Sequence, residues 1–119
     1  MDATEIARIS ETIDRYGDRF VRRVFTEGEI AYCRRKRDFA PSFAARFAAK
    51  EATMKALGTG WSRGVHWAGI EVVRRHGPPT LAFHGGAAER FARLGCTGSL
   101  LTLTHSRDLA IAHVMLLRE

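Results

Sequence analysis

The stretch PSFAARFAAKEATMKALG, residues 41–58, decides how the rest of the chain is read. Alanine has the highest helix propensity, and here it recurs without any β-branched run. Pro41 suits a first helical turn, where no backbone N–H is needed, and Gly58 stands where a left-handed residue ends a helix. The pattern predicts a helix over about 42–57. Phe43, Phe47 and Met54 fall at helical spacing and are expected to face a core. Arg46 and Lys50 are four residues apart and share a face; Glu51 and Lys55 repeat this on the neighbouring face. Spacing alone leaves two uses open. These are exposed pairs worth a few tenths of a kcal/mol each, or an anion-binding strip beside a carboxylate, as a divalent metal with substrate phosphates requires.

Working outward toward the N-terminus, Ile6, Ile9 and Ile13 predict an amphipathic helix over 4–14, stopped by Gly17. A second short helix is expected over about 18–24. Thr26 and Glu29 form a capping-box pattern that starts a third helix, running into the basic run Arg34, Arg35, Lys36, Arg37. Toward the C-terminus, GTGWSRG at 58–64 is a glycine-rich loop. It lacks the GK[ST] ending of a phosphate loop and follows a helix instead of preceding one. Ile70, Val72 and Val73, then Thr80 to Phe83, flank the turn His76-Gly77-Pro78-Pro79 and predict a hairpin. A helix over about 87–94 and strands over about 99–104 and 109–117 complete the chain. Helices first and strands later, with no βαβ alternation, predict an α+β fold. The expectation is one small domain, residues 1–119, with a long central helix packed on an antiparallel sheet.

A chain of 119 residues has room for one core. Its hydrophobic share of 45% and charged share of 27% exclude a disordered, collagen-like or coiled-coil chain. No apolar run approaches the roughly 18 residues that span a bilayer, and the opening MDATEIARIS has no apolar segment of a signal peptide. The 19 Lys and Arg against 13 Asp and Glu give a net charge of +6, which predicts an anionic partner. A basic nucleic-acid-binding module fits the run 34–37, but no RNP, KH or helix-turn-helix pattern accompanies it. Cys33 and Cys96 form no CxxC and are expected to be free thiols in a reducing cytoplasm, and the scattered histidines give zinc no spacing support. His105-Ser106 in THSRD lacks a GxSxG elbow and reads as a turn.

Taken together, FAAKEA at 47–52 and KALGTG at 55–60 resemble the signature of the holo-acyl-carrier-protein synthases, the small bacterial 4′-phosphopantetheinyl transferases. The segments DATEIARI (2–9), RFVRRVFTEGE (19–29), WAGIEVV (67–73) and LTHSRD (103–108) fit the same family in order, so the resemblance covers nearly the whole chain. It implies transfer of the phosphopantetheine arm of coenzyme A to a serine of an acyl carrier protein, a step serving fatty-acid biosynthesis. The family's metal ligands fall on Asp2 and Glu51, which implies Mg²⁺, with Mn²⁺ as a possible substitute. Lys55 would act with these two at the transferring phosphate, and Arg46, Lys50, Lys55 and His105 would contact the cofactor phosphates. Arg8, Arg15 and Arg19 would dock the acidic acyl carrier protein. Similar proteins are cytoplasmic homotrimers with the site between neighbouring subunits, and neither nucleic acid nor membrane is an expected partner. They open with a short glycine-containing strand ahead of the metal-binding Asp. Here Met1 directly precedes Asp2, so that strand is expected to be missing. Another metal-dependent phosphotransfer enzyme using Asp2 and Glu51 is the competing reading.

Overall fold

A computed structural model describes residues 1–119. The elements run β1 (Asp2–Glu5), α1 (Ile6–Tyr16), α2 (Asp18–Val24), α3 (Glu27–Arg34), α4 (Ala40–Leu57), β2 (Ile70–Val73), β3 (Thr80–Phe83), α5 (Gly85–Arg93), β4 (Cys96–His105) and β5 (Leu109–Arg118). A 3-10 turn at Trp67–Gly69 precedes β2. The α+β class expected from the sequence is what the chain adopts, with one difference. Its strands form two antiparallel sheets, a three-stranded one in the order β1-β5-β4 and the two-stranded hairpin β2-β3.

Helix α4 is the spine. Pro41 occupies its first turn, and Gly58 closes it in the left-handed region at φ 75°, with its N–H reaching back to the last-turn carbonyls. Twelve of its 18 residues are buried, so no single stripe faces inward. Ala40, Phe43, Ala44 and Ala45 join Ile6, Ile9, Val21 and Phe25 in one apolar cluster. Met54 and Leu57 join Val65, Ile70 and Ala87 in a second, and Ala48 and Ala49 meet Val72 and Ala112 in a third. Phe43 and Met54 therefore do face the interior, but in different clusters, while Phe47 is half-buried and stacks on Trp67 with ring centroids 4.9 Å apart. On the strand side the seam consists of Ala110 and Ala112, both fully buried. Small side chains on both sides let the helix backbone lie close over the sheet.

The first two residues of the expected 4–14 helix belong to a strand instead. Asp2 to Glu5 pair with Ala112 to Leu109 of β5, and the Ile6 N–H donates to the Asp108 carbonyl. Asp2 itself thus lies in a strand that the local pattern did not indicate. A partner that arrives about 105 residues later leaves no trace in a local hydrophobic period. Helix α3 begins as the sequence indicates, with both halves of the Thr26–Glu29 capping box formed. Gly86 of α5 allows the 58–64 loop to close down, because a Cβ there would run into the Gly64 carbonyl. No helix is long and apolar enough to cross a membrane.

Ala48 is fully buried in the third cluster, against Ala112 and Val72. Ala48→Leu should force α4 off the sheet and cost about 1–3 kcal/mol. Urea denaturation measures this; an unchanged midpoint would show that the seam has slack.

Candidate active site

Two clefts flank α4, each of about 370 Å³. One is acidic. Strand β1 brings Asp2 to it, α4 brings Phe47 and Glu51 from successive turns of one face, α1 brings Arg8 and Thr12, and α2 brings Phe20. Asp2 is nearly enclosed, at 10% side-chain exposure, and its Oδ1 accepts a hydrogen bond from Lys55 Nζ at 2.8 Å. The other oxygen, Oδ2, is buried and has no partner. The Lys55 ammonium is held above the ordinary lysine range by this hydrogen bond and by the charges of Asp2 and Glu51. Burial, and after it the negative charge of Asp2, push the Glu51 carboxyl above the usual glutamate value. Two carboxyl groups facing one cleft, one with an orphaned oxygen, fit a hard divalent cation. Mg²⁺ takes one or two protein carboxylates and leaves its other positions to water and phosphate. No group of three or more His, Cys, Asp or Glu side chains converges anywhere in the fold, which excludes a closed all-protein cage. Asp2, Glu51 and Lys55 are therefore brought together, and Lys55 pairs with Asp2 across the fold rather than with Glu51 one turn back.

The second cleft is basic. Ser42, Ala45 and Arg46 enter from α4, Tyr32 and Lys36 from α3 and its end, Arg74 from just beyond β2, and Leu103, Thr104 and His105 from β4. Arg46 is 3% exposed. Its guanidinium lies 4.3 Å from the Tyr32 ring centroid and donates to the Ser42 carbonyl, while its buried Nε has no partner. Burial alone would raise the Tyr32 phenol, but Lys36, Arg74 and Arg46 outweigh it and hold it below the ordinary tyrosine value. That reversal reports the positive potential in the cleft. Arg46 and His105 thus line the same cleft. Tyr32 and Arg74 were not singled out from sequence, and Lys36 was read only as part of the basic run 34–37, because Arg74 and Arg46 join the Tyr32–Lys36 pair from other elements. The basic run at 34–37 is not one continuous strip: Arg34 is tied to Asp18 at 2.8 Å, and Arg35 and Lys36 lie over Tyr32.

Lys50 belongs to neither cleft, which corrects its expected place among the cofactor contacts. It is fully buried, as is Glu29. Its ammonium pairs with Glu29 Oε1 at 2.8 Å and donates to the carbonyls of Trp67, at 2.9 Å, and Ile70. Three donors meet three acceptors, so none is free for a phosphate. Burial pushes the Lys50 ammonium below the usual lysine range, and the charge and hydrogen bond of Glu29 oppose that shift. Arg46 and Lys50 share a face, as spacing requires, but that face is inside the protein. The alternative of two exposed pairs is wrong for this one.

Arg46 and Glu51 are five residues apart, roughly 140° around the helix, so the two clefts open on different sides of α4. They also lie at opposite edges of the three-stranded sheet, the acidic one at β1 and the basic one at β4, with β5 between. Arg8 and Arg15 on α1 and Arg19 on α2 are exposed, and Arg8 lines the acidic cleft.

The chain resembles known proteins in both sequence and fold. A holo-[acyl-carrier-protein] synthase of Solibacter usitatus is 50% identical over 117 residues, covering 98% of this chain and 94% of that one. The crystal structure of a holo-[acyl-carrier-protein] synthase from Neisseria meningitidis superposes with a TM-score of 0.89 at 25% identity, over 98% of this chain and 94% of that one. The Helicobacter pylori enzyme of the same name, solved in complex with coenzyme A, superposes with a TM-score of 0.84 at 27% identity, over 97% and 96% of the two chains. The sequence pattern of the family matches residues 1–113, and the chain belongs to the 4′-phosphopantetheinyl transferase superfamily.

Proposed function

We propose that the chain is a holo-[acyl-carrier-protein] synthase, transferring the 4′-phosphopantetheine group of coenzyme A to a serine of an acyl carrier protein. The observation that carries this reading is the pairing of the two clefts. One has a buried carboxylate oxygen with no partner, and the other has a buried arginine nitrogen with none. A nucleotide pyrophosphate with its own cation meets both needs at once. In this reading Asp2 and Glu51 hold Mg²⁺ or Mn²⁺, which supplies Lewis-acid neutralisation of the pyrophosphate. Arg46, Lys36, Arg74 and His105 bind the adenosine-side phosphates. Lys55, exposed and one turn beyond Glu51, supplies positive charge to the phosphoryl group in transit. The serine oxygen bonds to the phosphorus that carries pantetheine, and the bond from that phosphorus to the bridging oxygen breaks. The hydroxyl proton passes to solvent water, and adenosine 3′,5′-bisphosphate leaves with the phosphates held by the basic cleft. Little covalent work falls to the protein in such a transfer; positioning and charge stabilisation dominate. The two free thiols suit a cytoplasmic enzyme.

The clefts belong to opposite flanks of one chain, so a cofactor that uses both is best served by two chains. The sheet face turned away from α4 supports association: Leu100 is 56% exposed, Met115 50% and Leu117 39%, on adjacent β4 and β5 positions. A contiguous apolar sheet face of this kind marks an association surface. The reading is a homotrimer in which the acidic cleft of one subunit faces the basic cleft of the next, with the number three taken from the family. Arg8, Arg15 and Arg19 then offer the acidic carrier protein a basic surface beside the acidic cleft.

Activity should need Mg²⁺ or Mn²⁺, and Glu51→Gln should lower turnover at least 100-fold while circular dichroism stays parental, since Gln keeps the shape but not the charge a hard cation requires. Near-normal turnover by the folded variant would remove Glu51 from the metal site. Mass spectrometry of the carrier protein detects the added phosphopantetheine. Arg15→Glu and Arg19→Glu should raise the KM for carrier protein several-fold more than that for coenzyme A, with salt narrowing the gap to the parent. Equal effects on both substrates would move these arginines to the cofactor. Light scattering should give a particle of about three times 13.3 kDa. Inactive Glu51→Gln and His105→Ala chains should regain part of the activity after subunit exchange. A fully active monomer would defeat the shared site.

A further inference from the structure

Glu29 and Lys50 form the most enclosed charged pair in the fold, and neither faces a cleft. Glu29 Oε1 accepts from Thr26 N at 2.9 Å and from Lys50, and its Oε2 accepts from Val72 N at 2.8 Å. The Thr26 hydroxyl returns the capping bond from the Glu29 N–H and donates to Glu71 Oε2 at 2.7 Å. Lys50 completes the knot on the carbonyls of Trp67 and Ile70. The result ties three separate pieces, the start of α3, the middle of α4 and residues 67–72, at a single point. Residue 51 follows directly on α4 and turns into the acidic cleft opposite Asp2. Elsewhere α4 is held mainly by apolar packing, Ala48 and Ala49 over the sheet and Phe43, Met54 and Leu57 in the flanking clusters, and such contacts are not directional. Lys50 makes the fully buried ion pair and hydrogen bonds by which the middle of α4 reaches other elements; Arg46 over Tyr32 and the Leu57 carbonyl that accepts from Arg90 act nearer its two ends.

We infer that the Glu29–Lys50 pair is a positioning device for the metal carboxylate. It sets the rotation of α4 so that Glu51 faces Asp2, and neither member touches coenzyme A. The inference rests on the reading of Asp2 and Glu51 as metal ligands. Residues that orient a metal ligand characteristically change metal affinity 10- to 100-fold when altered, without contacting the metal.

The test uses the double variant Glu29→Gln/Lys50→Met, which removes both buried charges together and leaves no unpaired one. Mn²⁺ affinity is read by electron paramagnetic resonance. Coenzyme A affinity is read by calorimetry in EDTA, and kcat and KM are measured alongside a thermal melt. The expected result is a folded protein whose Mn²⁺ affinity falls 10-fold or more and whose kcat falls with it. Coenzyme A affinity in EDTA and its KM should stay within twofold of the parent. Should the double variant not fold, Glu29→Gln alone, which keeps an oxygen for Lys50, is read in the same way, with a smaller loss of Mn²⁺ affinity expected. Parental Mn²⁺ affinity in the folded variant, whatever its melting point, would reduce the pair to a purely structural one and overturn the inference. Weakened coenzyme A binding in EDTA would overturn it too, by making Lys50 a cofactor contact. Glu51→Gln serves as the control. If it binds Mn²⁺ like the parent, the metal reading falls and takes this inference with it. If it does not, while the Glu29/Lys50 variant does, only the inference falls.

Discussion

Helix α4 can serve two clefts because it lies close over β5, and it lies close because the contact is made of alanine. Ala48 and Ala49 on the helix and Ala110 and Ala112 on the strand are all buried, and none carries more than a methyl group. Close approach brings Glu51 within the same cleft as Asp2 on β1, and Arg46 into the cleft that His105 borders on β4. Larger residues in the seam would fill volume equally well but would lift the helix and separate the groups on its flanks from those on the strands. The alanine content that gave the sequence its high helix propensity is therefore also what sets the depth of both clefts.

The polar groups divide in a way that charge counting does not reveal. A surplus of six positive charges predicts an anionic partner but not where it binds. The structure concentrates cations around Tyr32 and Arg46 on one flank and places a carboxylate pair on the other. The arginines of α1 and α2 remain at the surface. A uniform basic coat would favour any polyanion. This separation favours one that carries phosphates at one end and a cation at the other.

Much of this was legible beforehand. The helix over 42–57 and its glycine stop were carried by local propensity and capping, and the Thr26–Glu29 start by a complete cap pattern, so each appears where expected. The hairpin followed from two short apolar runs on either side of the turn His76-Gly77-Pro78-Pro79. What local pattern cannot carry is pairing at a distance. Strand β1 exists only because β5 supplies its partner, and Asp2 acquires its geometry from that pairing. Lys50 shows the same limit. Its four-residue spacing from Arg46 was read correctly as a shared face, but spacing does not say whether a face is wet or dry. Glu29 gave itself away only as a cap, since the carboxylate's other two partners, Lys50 and Val72, lie in later elements.

That last residue has a bearing on how the chain reaches its native state. A capping box is ordinarily a local device, complete as soon as one helical turn has formed. Here the capping carboxylate also receives the N–H of a strand residue 43 positions away. Until β2 arrives, Glu29 can cap α3 only as a solvated side chain, and Lys50 has no reason to leave water. Burying either alone would strand a charge in the interior. The start of α3, the middle of α4 and the hairpin consequently order in one cooperative event rather than by accretion onto a finished helix. The amides of Thr26, Glu29 and Val72 should therefore exchange as a single opening unit despite their separation along the chain.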